Sequence, residues 1–301
     1  MPKIPALLSA LLAGVLAMPA CAERPSSSDH ASEVEAWRAG RLARLTAPDG
    51  WLSLVGLHWL REGRNTIGSG ADNDIVIEGT PSHLGSVELT GGQARLELDP
   101  AAREARIEGG GQRSATLLDD SHEKPTIVVS GTTRFYLIER NGRHGLRVKD
   151  SHAKARTDFA GIDSFPIDPA WRIEAKWVTF DPPHTLEVPN VLGQVDRFPV
   201  PGKAVFERDG RTFELLPVLE EPDATELFLI FADRTSGRDT YGAGRFLYAP
   251  MPTDGRIVLD FNKAYNPPCA FTPYATCPLA PPENRLDLEV TAGERKYRGG
   301  H

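Results

Sequence analysis

The sequence has fewer basic than acidic residues and no long apolar run. Each of these two features excludes a class of protein. Its 34 lysines and arginines are outnumbered by 41 aspartates and glutamates, which gives a net charge of −7. Because the binding of phosphates needs a basic surface, we expect no nucleic acid among the partners. No run of 18 apolar residues occurs, so we expect no transmembrane span in the mature protein.

Common catalytic and metal-binding motifs are missing as well. The chain has no Gly-x-Ser-x-Gly elbow, no His-Glu-x-x-His and no Cys-x-x-Cys. A zinc ion at Cys269 and Cys277 would lack obvious third and fourth ligands. His58 lies in an apolar run, residues 51–60, where a histidine is more often a core residue than a base or ligand. We therefore expect neither a metal nor a cofactor.

The first 22 residues are typical of a secretory signal peptide. A positive start and a 13-residue apolar run precede the small residues Ala20-Cys21-Ala22. Two processing sites are open: cleavage after Ala22, or cleavage before Cys21, which would make Cys21 the lipidated first residue of a lipoprotein. We expect a periplasmic or outer-membrane-anchored protein, with residues 23–32 as a flexible tether.

Cysteine is scarce, and its three copies predict a disulfide. If Cys21 is lipidated or removed, Cys269 and Cys277 remain and can pair in an exported protein. Both lie in a proline-rich segment, residues 266–286, that reads neither as a helix nor as a strand. Closing this short loop would stabilise the folded state by roughly 2.5 kcal/mol in the chain-entropy estimate.

Short apolar segments separated by glycine and proline predict a mainly β fold with one N-terminal helix. Ser32-Glu33-Val34-Glu35 reads as a capping box that starts the helix, which we expect to end near Leu45. Asn141-Gly142 and Asp209-Gly210 predict hairpins. The predicted strands are residues 74–78, 86–90, 94–98, 105–108, 126–130, 133–140, 145–149, 171–177, 204–208, 212–216, 227–232, 245–248, 256–261 and 286–290.

A proline-rich seam at residues 166–169 divides the strands into two groups. We therefore predict two β-sandwich or barrel-like halves, residues 33–165 and 166–301, with the disulfide-closed loop in the second. The two halves could still share one sheet.

Residues 67–77, followed by Ser82 and His83, are similar to the forkhead-associated domain, which reads phosphothreonine. Ser69 stands where the phosphate-binding arginine would be, and the Ser-to-His spacing is one rather than three. A phosphate site without its cation loses its strongest charge-assisted hydrogen bonds. We therefore interpret residues 72–74 as a turn before a strand and do not favour a phospho-reader.

Residues 232–245, ADRTSGRDTYGAGR, form the loop with the strongest signal for ligand binding. Glycines let a ligand approach the backbone, and arginine forks bind carboxylate or phosphate. Arg238, Tyr241 and Arg245 are the candidates here. The alternative is a solvated loop whose arginines pair with neighbouring aspartates. Further candidates lie around the proline-rich segment: Asp260, Asn262, Asn266, Glu283, Asn284 and Arg285.

Three long stretches resemble one family. TSGRDTYGAGRFLY, VLDFNKAYNPPCAFTPYATCPLAPPENRL and GWLSLVGLHWLREGRNTIGS look like the bacterial domain-of-unknown-function family 1684, over roughly residues 33–297. Ala280 stands where that family more often has proline. The resemblance implies that residues 266–286 are a family hallmark, but it implies no activity, substrate or catalytic residue.

Two functions from different classes remain open. The first is an exported binding or structural protein of the cell envelope, with a polar, Arg- and Asn-lined site for a small anionic ligand or an envelope component. The second is an envelope hydrolase, in which Asp260 and Glu283 serve as acid and base and Arg245 or Arg285 steadies an anionic intermediate. Because no complete catalytic constellation is visible, we favour the binding or structural protein.

Overall fold

The computed structural model of the chain describes residues 27–299. The predicted signal peptide and the lipidation site at Cys21 lie outside these described residues. Within them, no helix combines the length and the apolar character needed to cross a membrane. The fold is mainly β with one long N-terminal helix, which confirms the predicted fold class.

The elements follow one another along the chain with two helices and sixteen strands in the described part. The helices are α1 (Ser27–Leu45) and α2 (Lys154–Thr157), and single 3-10 turns lie at Trp51–Ser53, Pro169–Trp171, Phe261–Lys263, Pro268–Ala270 and Pro282–Asn284. The strands are β1 (Leu54–Trp59), β2 (Gly63–Gly68), β3 (Ile75–Val76), β4 (Gly85–Thr90), β5 (Gln93–Leu98), β6 (Ala105–Ile107), β7 (Ser114–Thr116), β8 (Ile127–Ser130), β9 (Thr133–Arg140), β10 (Arg143–Asp150), β11 (Arg172–Pro189), β12 (Val195–Arg208), β13 (Arg211–Leu215), β14 (Glu226–Phe231), β15 (Arg245–Pro250) and β16 (Arg256–Asp260).

Strands β1 to β10 form two five-stranded sheets that pack face to face. One has the order β1-β10-β9-β8-β6 and the other the order β3-β2-β4-β5-β7. The sheets pack together because each strand has one apolar face. In β5, for example, buried and exposed residues alternate, and the apolar side chains all point to the same face. Ile67 and Leu96 of the second sheet meet Phe135 and Leu146 of the first in one continuous core.

Strands β11 to β16 form a four-stranded sheet, β13-β12-β11-β16, and the separate pair β14-β15. Strand β14 is buried on both faces, which explains its unbroken apolar sequence. Its odd-numbered residues, such as Leu229, enter a core with Trp171 and Phe261. Its even-numbered residues, such as Phe228, enter a second core that also contains Cys277.

Most of the predicted strands are present, and both predicted hairpins are confirmed. The turn residues Asn141 and Asp209 have positive φ, and each is followed by a glycine of positive φ, as two-residue hairpins of this kind require. Residues 286–290 are not a strand, which corrects the prediction. They instead run as irregular backbone beside residues 232–234, just after β14, and the bridge between Ala232 and Arg285 immediately precedes them.

The start of helix α1 also differs from the prediction. The helix begins at Ser27, so the predicted N-cap at Ser32 is wrong, and residues 27–32 of the predicted tether are helical. Inside the helix, the Ser32 hydroxyl donates to the Ser28 carbonyl one turn back, so it is not free to cap the amide of Glu35.

Helix α1 is anchored on the C-terminal half, although it precedes the N-terminal sheets in the chain. His30 Nε2 lies 2.8 Å from Asp260 Oδ2, and Lys263 forms an ion pair with Glu33. Arg41 Nη2 donates to the Asn266 carbonyl at 2.9 Å. These contacts join helix α1 to residues 260–266.

Arg41 and Arg44 are one turn apart on this helix and provide a matched pair of variants. Arg41 is buried and lies 3.3 Å from Glu294, whereas Arg44 is exposed and forms no ion pair with any described residue. Arg41→Met leaves the Glu294 carboxylate buried without its cation, so we expect it to lower the free energy of unfolding by about 3 kcal/mol. Arg44→Met should leave urea unfolding unchanged. Equal effects of the two substitutions would contradict the anchoring of α1.

Candidate binding site

Arg245, predicted as an anion-binding residue, is part of the core. Its guanidinium donates to Asp233 Oδ2 at 2.8 Å, and the two side chains are 1% and 0% exposed. Its two terminal nitrogens also donate to the backbone carbonyls of Val290, Ala292 and Glu294. Arg245 therefore cannot reach a ligand, and it holds residues 290–294 against β15.

Glu294 extends this network to the proline-rich segment. Its carboxylate accepts a hydrogen bond from the Asn266 amide at 2.7 Å and one from Arg41 at 3.3 Å. The Asn266 side chain donates to the carbonyl of Arg295 at 2.8 Å. Burial raises the pKa of Glu294, and Arg41 opposes that effect. Asn266 is fully buried and thus fixes the start of the segment.

Three further candidates are buried and bonded to backbone. Asn262 donates to the carbonyl of Asp168 and accepts from its amide, which fastens the seam before β11 to the end of β16. Asn284 makes the same two bonds with Leu216 after β13. Asp260 accepts from the Asn262 amide beneath helix α1. These side chains replace the strand pairing that the irregular segments lack.

Glu283 and Arg285 lie on the surface, at and just after the turn Pro282–Asn284. Asp260, by contrast, is buried and engaged by His30. The structure therefore does not give Asp260 and Glu283 the shared environment that the hydrolase hypothesis requires.

The two cysteines of the proline-rich segment are free thiols in the structure, so the predicted disulfide is not formed. They are nevertheless adjacent. The Cys269 amide donates to Cys277 Sγ at 3.1 Å, and the Cys277 amide donates to Cys269 Sγ at 3.4 Å. These reciprocal bonds bring the two ends of the loop together without a covalent bridge in the structure.

The segment lies between the two halves of the fold. The Thr272 hydroxyl donates to the carbonyl of Leu54 at 3.3 Å, and Arg147 of β10 donates to the Thr276 hydroxyl at 3.1 Å. Phe271 packs with Leu52 in a small core of its own. The proline-rich segment therefore serves as the joint between the N-terminal and C-terminal sheets.

A cleft of about 540 Å³ opens beside this joint. We call it the aromatic cleft, because six of its lining residues are aromatic: Trp37, Trp51, Phe228, Phe246, Tyr248 and Tyr265. Tyr248 stacks on Phe228 at 4.9 Å between ring centroids, and Arg41 lies 4.8 Å from the Tyr265 ring centroid. Its size and aromatic walls, at the contact of two halves, are typical of small-molecule sites.

The aromatic cleft is lined by three cations, Arg41, Arg44 and Lys149, and by two carboxylates, Asp49 and Glu220. Arg44 and Lys149 line it and form no ion pair with any described residue. Lys149 Nζ donates to the Asp49 carbonyl at 2.6 Å and lies 5.6 Å from the Trp51 ring centroid. Burial lowers the pKa of Lys149. On the opposite side, Tyr248 donates to Glu220 at 2.6 Å, and burial raises the pKa of that carboxyl.

A second depression, which we call the cationic groove, holds the two loop candidates that remain accessible. Arg238 and Tyr241 line it together with Asp163, Asp239, Cys269, Ala270, Arg295, Lys296, Tyr297 and Arg298. Arg238 is paired with Asp239 and Glu289, at 2.7 and 2.9 Å. The Tyr241 hydroxyl donates to the Cys269 carbonyl at 3.1 Å. Arg238 is therefore an exposed arginine that pairs with a neighbouring aspartate, as the alternative of a solvated loop predicted.

Lys149 and the tryptophans of the cleft were missed by the sequence reasoning. Lys149 sits at the end of a predicted strand and looks like an ordinary exposed residue. Trp51 begins the apolar run that we assigned to the core. Their joint position depends on the contact between halves, which no local pattern reveals.

Across residues 27–299, no group of three or more potential metal ligands is clustered.

Comparison with known proteins places the chain in a family. The model of a family described as "Protein of unknown function (DUF1684)" matches residues 157–295, a shorter range than the resemblance suggested. An uncharacterized protein from gene locus rrnAC0354 of Haloarcula marismortui, solved by NMR, is 34% identical; the match covers 46% of this chain and 78% of that chain, with a TM-score of 0.40. The chain belongs to the DUF1684 family.

A second solved structure comes from work titled "Structural and functional analysis of phosphothreonine-dependent FHA domain interactions". It is 18% identical, and the match covers 31% of this chain and 92% of that chain, with a TM-score of 0.21. A likeness at this level supports no argument about phosphothreonine. The turn at residues 72–74 is confirmed, because Asp74 accepts from the Thr66 amide and hydroxyl just before β3. No protein with a curated description matches the chain significantly.

Arg245→Met tests the structural role of the buried pair. The substitution leaves Asp233 charged, buried and unpaired, so we expect the free energy of unfolding to fall by about 3 to 5 kcal/mol. Arg238→Met in the same loop should have no measurable effect on urea unfolding, because Arg238 is exposed. A stable Arg245→Met protein would refute the structural role.

Proposed function

We propose that this protein binds a small molecule in the aromatic cleft, and that the ligand combines a flat ring with an acidic group. Arg44 and Lys149 supply positive charge, and Trp51 and Tyr248 supply ring faces. Stacking on aromatic side chains and pairing with a desolvated cation are complementary ways to hold such a ligand. The ligand is anionic, as the sequence suggested, but the Arg/Asn-lined site is replaced by one built from rings and two cations.

The observation that carries this proposal is Lys149. A partly buried ammonium normally has a carboxylate partner, because desolvation of an unpaired charge is costly. Lys149 donates to one carbonyl and lies 5.6 Å from the ring centroids of Trp51 and Tyr136. The Asp49 carboxylate partly opposes the lowering of its pKa by burial but forms no ion pair with it. An anionic group in the cleft would complete its surroundings.

We propose further that the protein acts in the cell envelope as a binding protein without turnover. The apolar start of the sequence supports export, and Cys21 would provide the lipid anchor if the signal is cleaved before it. An oxidising envelope would also allow Cys269 and Cys277 to form the predicted disulfide.

Two fluorescent probes test the cleft. Anilinonaphthalene sulfonate carries an aromatic system and an anionic group, and N-phenylnaphthylamine has nearly the same rings without the charge. We expect Lys149→Met to weaken the anionic probe about tenfold, or about 1.4 kcal/mol, and the neutral probe less than about twofold. Trp51→Ala should weaken both probes, because it removes a wall of the cleft. Fluorescence titration gives the dissociation constants.

Lys124→Met is the matched control, since Lys124 is exposed and does not line the cleft. It should bind both probes as the unmodified protein does. Absence of saturable binding, or equal loss of both probes in Lys149→Met, would refute the proposed site.

The pH dependence of the anionic probe gives a separate prediction. Burial lowers the pKa of Lys149, so its charge is lost at a lower pH than that of an exposed lysine. Binding should therefore weaken as the pH rises through this lowered pKa. Tyr248 and Tyr265 have raised pKa values and stay neutral there, so the effect should vanish in Lys149→Met. An unchanged pH profile in that variant would assign the effect to another group.

A further inference from the structure

The two free thiols and the cationic groove meet at Cys269. Cys269 is partly exposed and lines the groove, whereas Cys277 is buried directly behind it. The reciprocal amide-to-sulfur bonds bring the two residues side by side. A partly exposed cysteine with a second thiol beside it is the arrangement that thiol–disulfide exchange requires.

The groove around Cys269 carries an excess of positive charge. Four of its lining residues are cations, Arg238, Arg295, Lys296 and Arg298, and two are carboxylates, Asp163 and Asp239. The arginines are paired with acidic residues, but Lys296 is exposed and forms no ion pair with any described residue. A small molecule that carries carboxylates is therefore attracted to the position of Cys269.

The surroundings of the two thiols assign them different roles. A hydrogen bond from the Cys277 side chain is the main cause that lowers the pKa of the Cys269 thiol. Burial opposes this effect, whereas the Cys277 amide and the charge of Arg147 lower the pKa further. Burial raises the pKa of Cys277. Because the thiolate is the nucleophile, Cys269 attacks first and Cys277 follows.

We propose that Cys269 and Cys277 form a thiol–disulfide exchange site for small disulfides that carry carboxylate groups. The Cys269 thiolate attacks one sulfur of the disulfide, whose S–S bond breaks and releases one thiolate. Cys277 then gives its proton to solvent and attacks the Cys269 sulfur, which releases the second thiolate. Oxidation of the two protein thiols to a disulfide is balanced by reduction of the small disulfide to two thiols. This inference goes beyond the proposed function and does not depend on it.

Two disulfide probes separate the chemistry from the charge. Dithiobis(nitrobenzoate) carries carboxylates, and dithiodipyridine is uncharged. All proteins carry Cys21→Ser, so that only the two thiols of interest can react. With either probe, the reduced protein should release two thiolates per chain and end as an internal disulfide by mass spectrometry. Cys277→Ser should stop at the mixed disulfide, and Cys269→Ser should react at least about tenfold more slowly.

The charge of the groove is tested with the double substitution Lys296→Glu/Arg298→Glu. We expect it to slow the carboxylated probe about fivefold or more and the uncharged probe less than about twofold, with the difference shrinking at high salt. Lys124→Glu, outside the groove, should change neither rate. Circular dichroism confirms that each variant is folded.

Three results would overturn the proposal. The first is a protein with both thiols that forms a separate probe adduct on each cysteine and no internal disulfide. This result can be obtained even if a cysteine variant fails to fold. The second is a Cys269→Ser protein that reacts at the rate of its parent. The third is equal slowing of both probes by the groove substitutions. Binding of the fluorescent probes in the aromatic cleft is measured independently, so the two proposals can fail separately.

Discussion

Arg245 and Asp233 are both removed from water, and a charge pair in that position is tolerated only where its donors and acceptors find partners. Asp233 accepts from Thr235, and Arg245 donates to three carbonyls of residues 290–294, a stretch outside the strands whose one bridge joins Glu294 to Ser164. Within this pair, Arg245 Nε is left without a hydrogen-bond partner among the described residues. One side chain thus supplies three of the hydrogen bonds that hold this stretch beside β15, and backbone bonds to Phe165 and Ala264 add to them.

The rest of the C-terminal half depends on that attachment. The held stretch presents Glu294, which bonds the Asn266 amide and Arg41. Asn266 starts the proline-rich segment that joins the two halves, and Arg41 fixes helix α1. The walls of the aromatic cleft come from these same parts, since Trp37 belongs to α1 and Pro268 to the segment. The cleft, and any ligand it binds, therefore depends on a pair of buried charges that never contacts it.

The sequence predicted what local patterns encode and missed what long-range contacts decide. Hairpins at Asn141 and Asp209 were predictable because two-residue turns need positive φ. Residues 286–290 looked like a strand because their apolar residues alternate, and these side chains do pack in the core. Their backbone forms no regular ladder, however: the Val290 carbonyl accepts from the Arg245 side chain and the Leu288 carbonyl from the Arg234 amide. Arg245 looked like a ligand-binding residue because the sequence does not show that its side chain is buried with Asp233, 12 positions away. Lys149 looked ordinary because its cleft exists only where two halves meet.

Native-state hydrogen exchange of an Arg245→Lys variant tests the central claim most directly. Lysine keeps the charge opposite Asp233, but its three ammonium donors cannot serve Asp233 and three carbonyls at once. If the buried pair holds the C-terminal network together, amides of residues 290–294, of the proline-rich segment and of helix α1 should lose protection as one unit. Amides of β4 and β5 in the N-terminal sheets should keep theirs. Retained protection at the Asn266 amide and in α1, or an equal loss throughout the chain, would contradict the account.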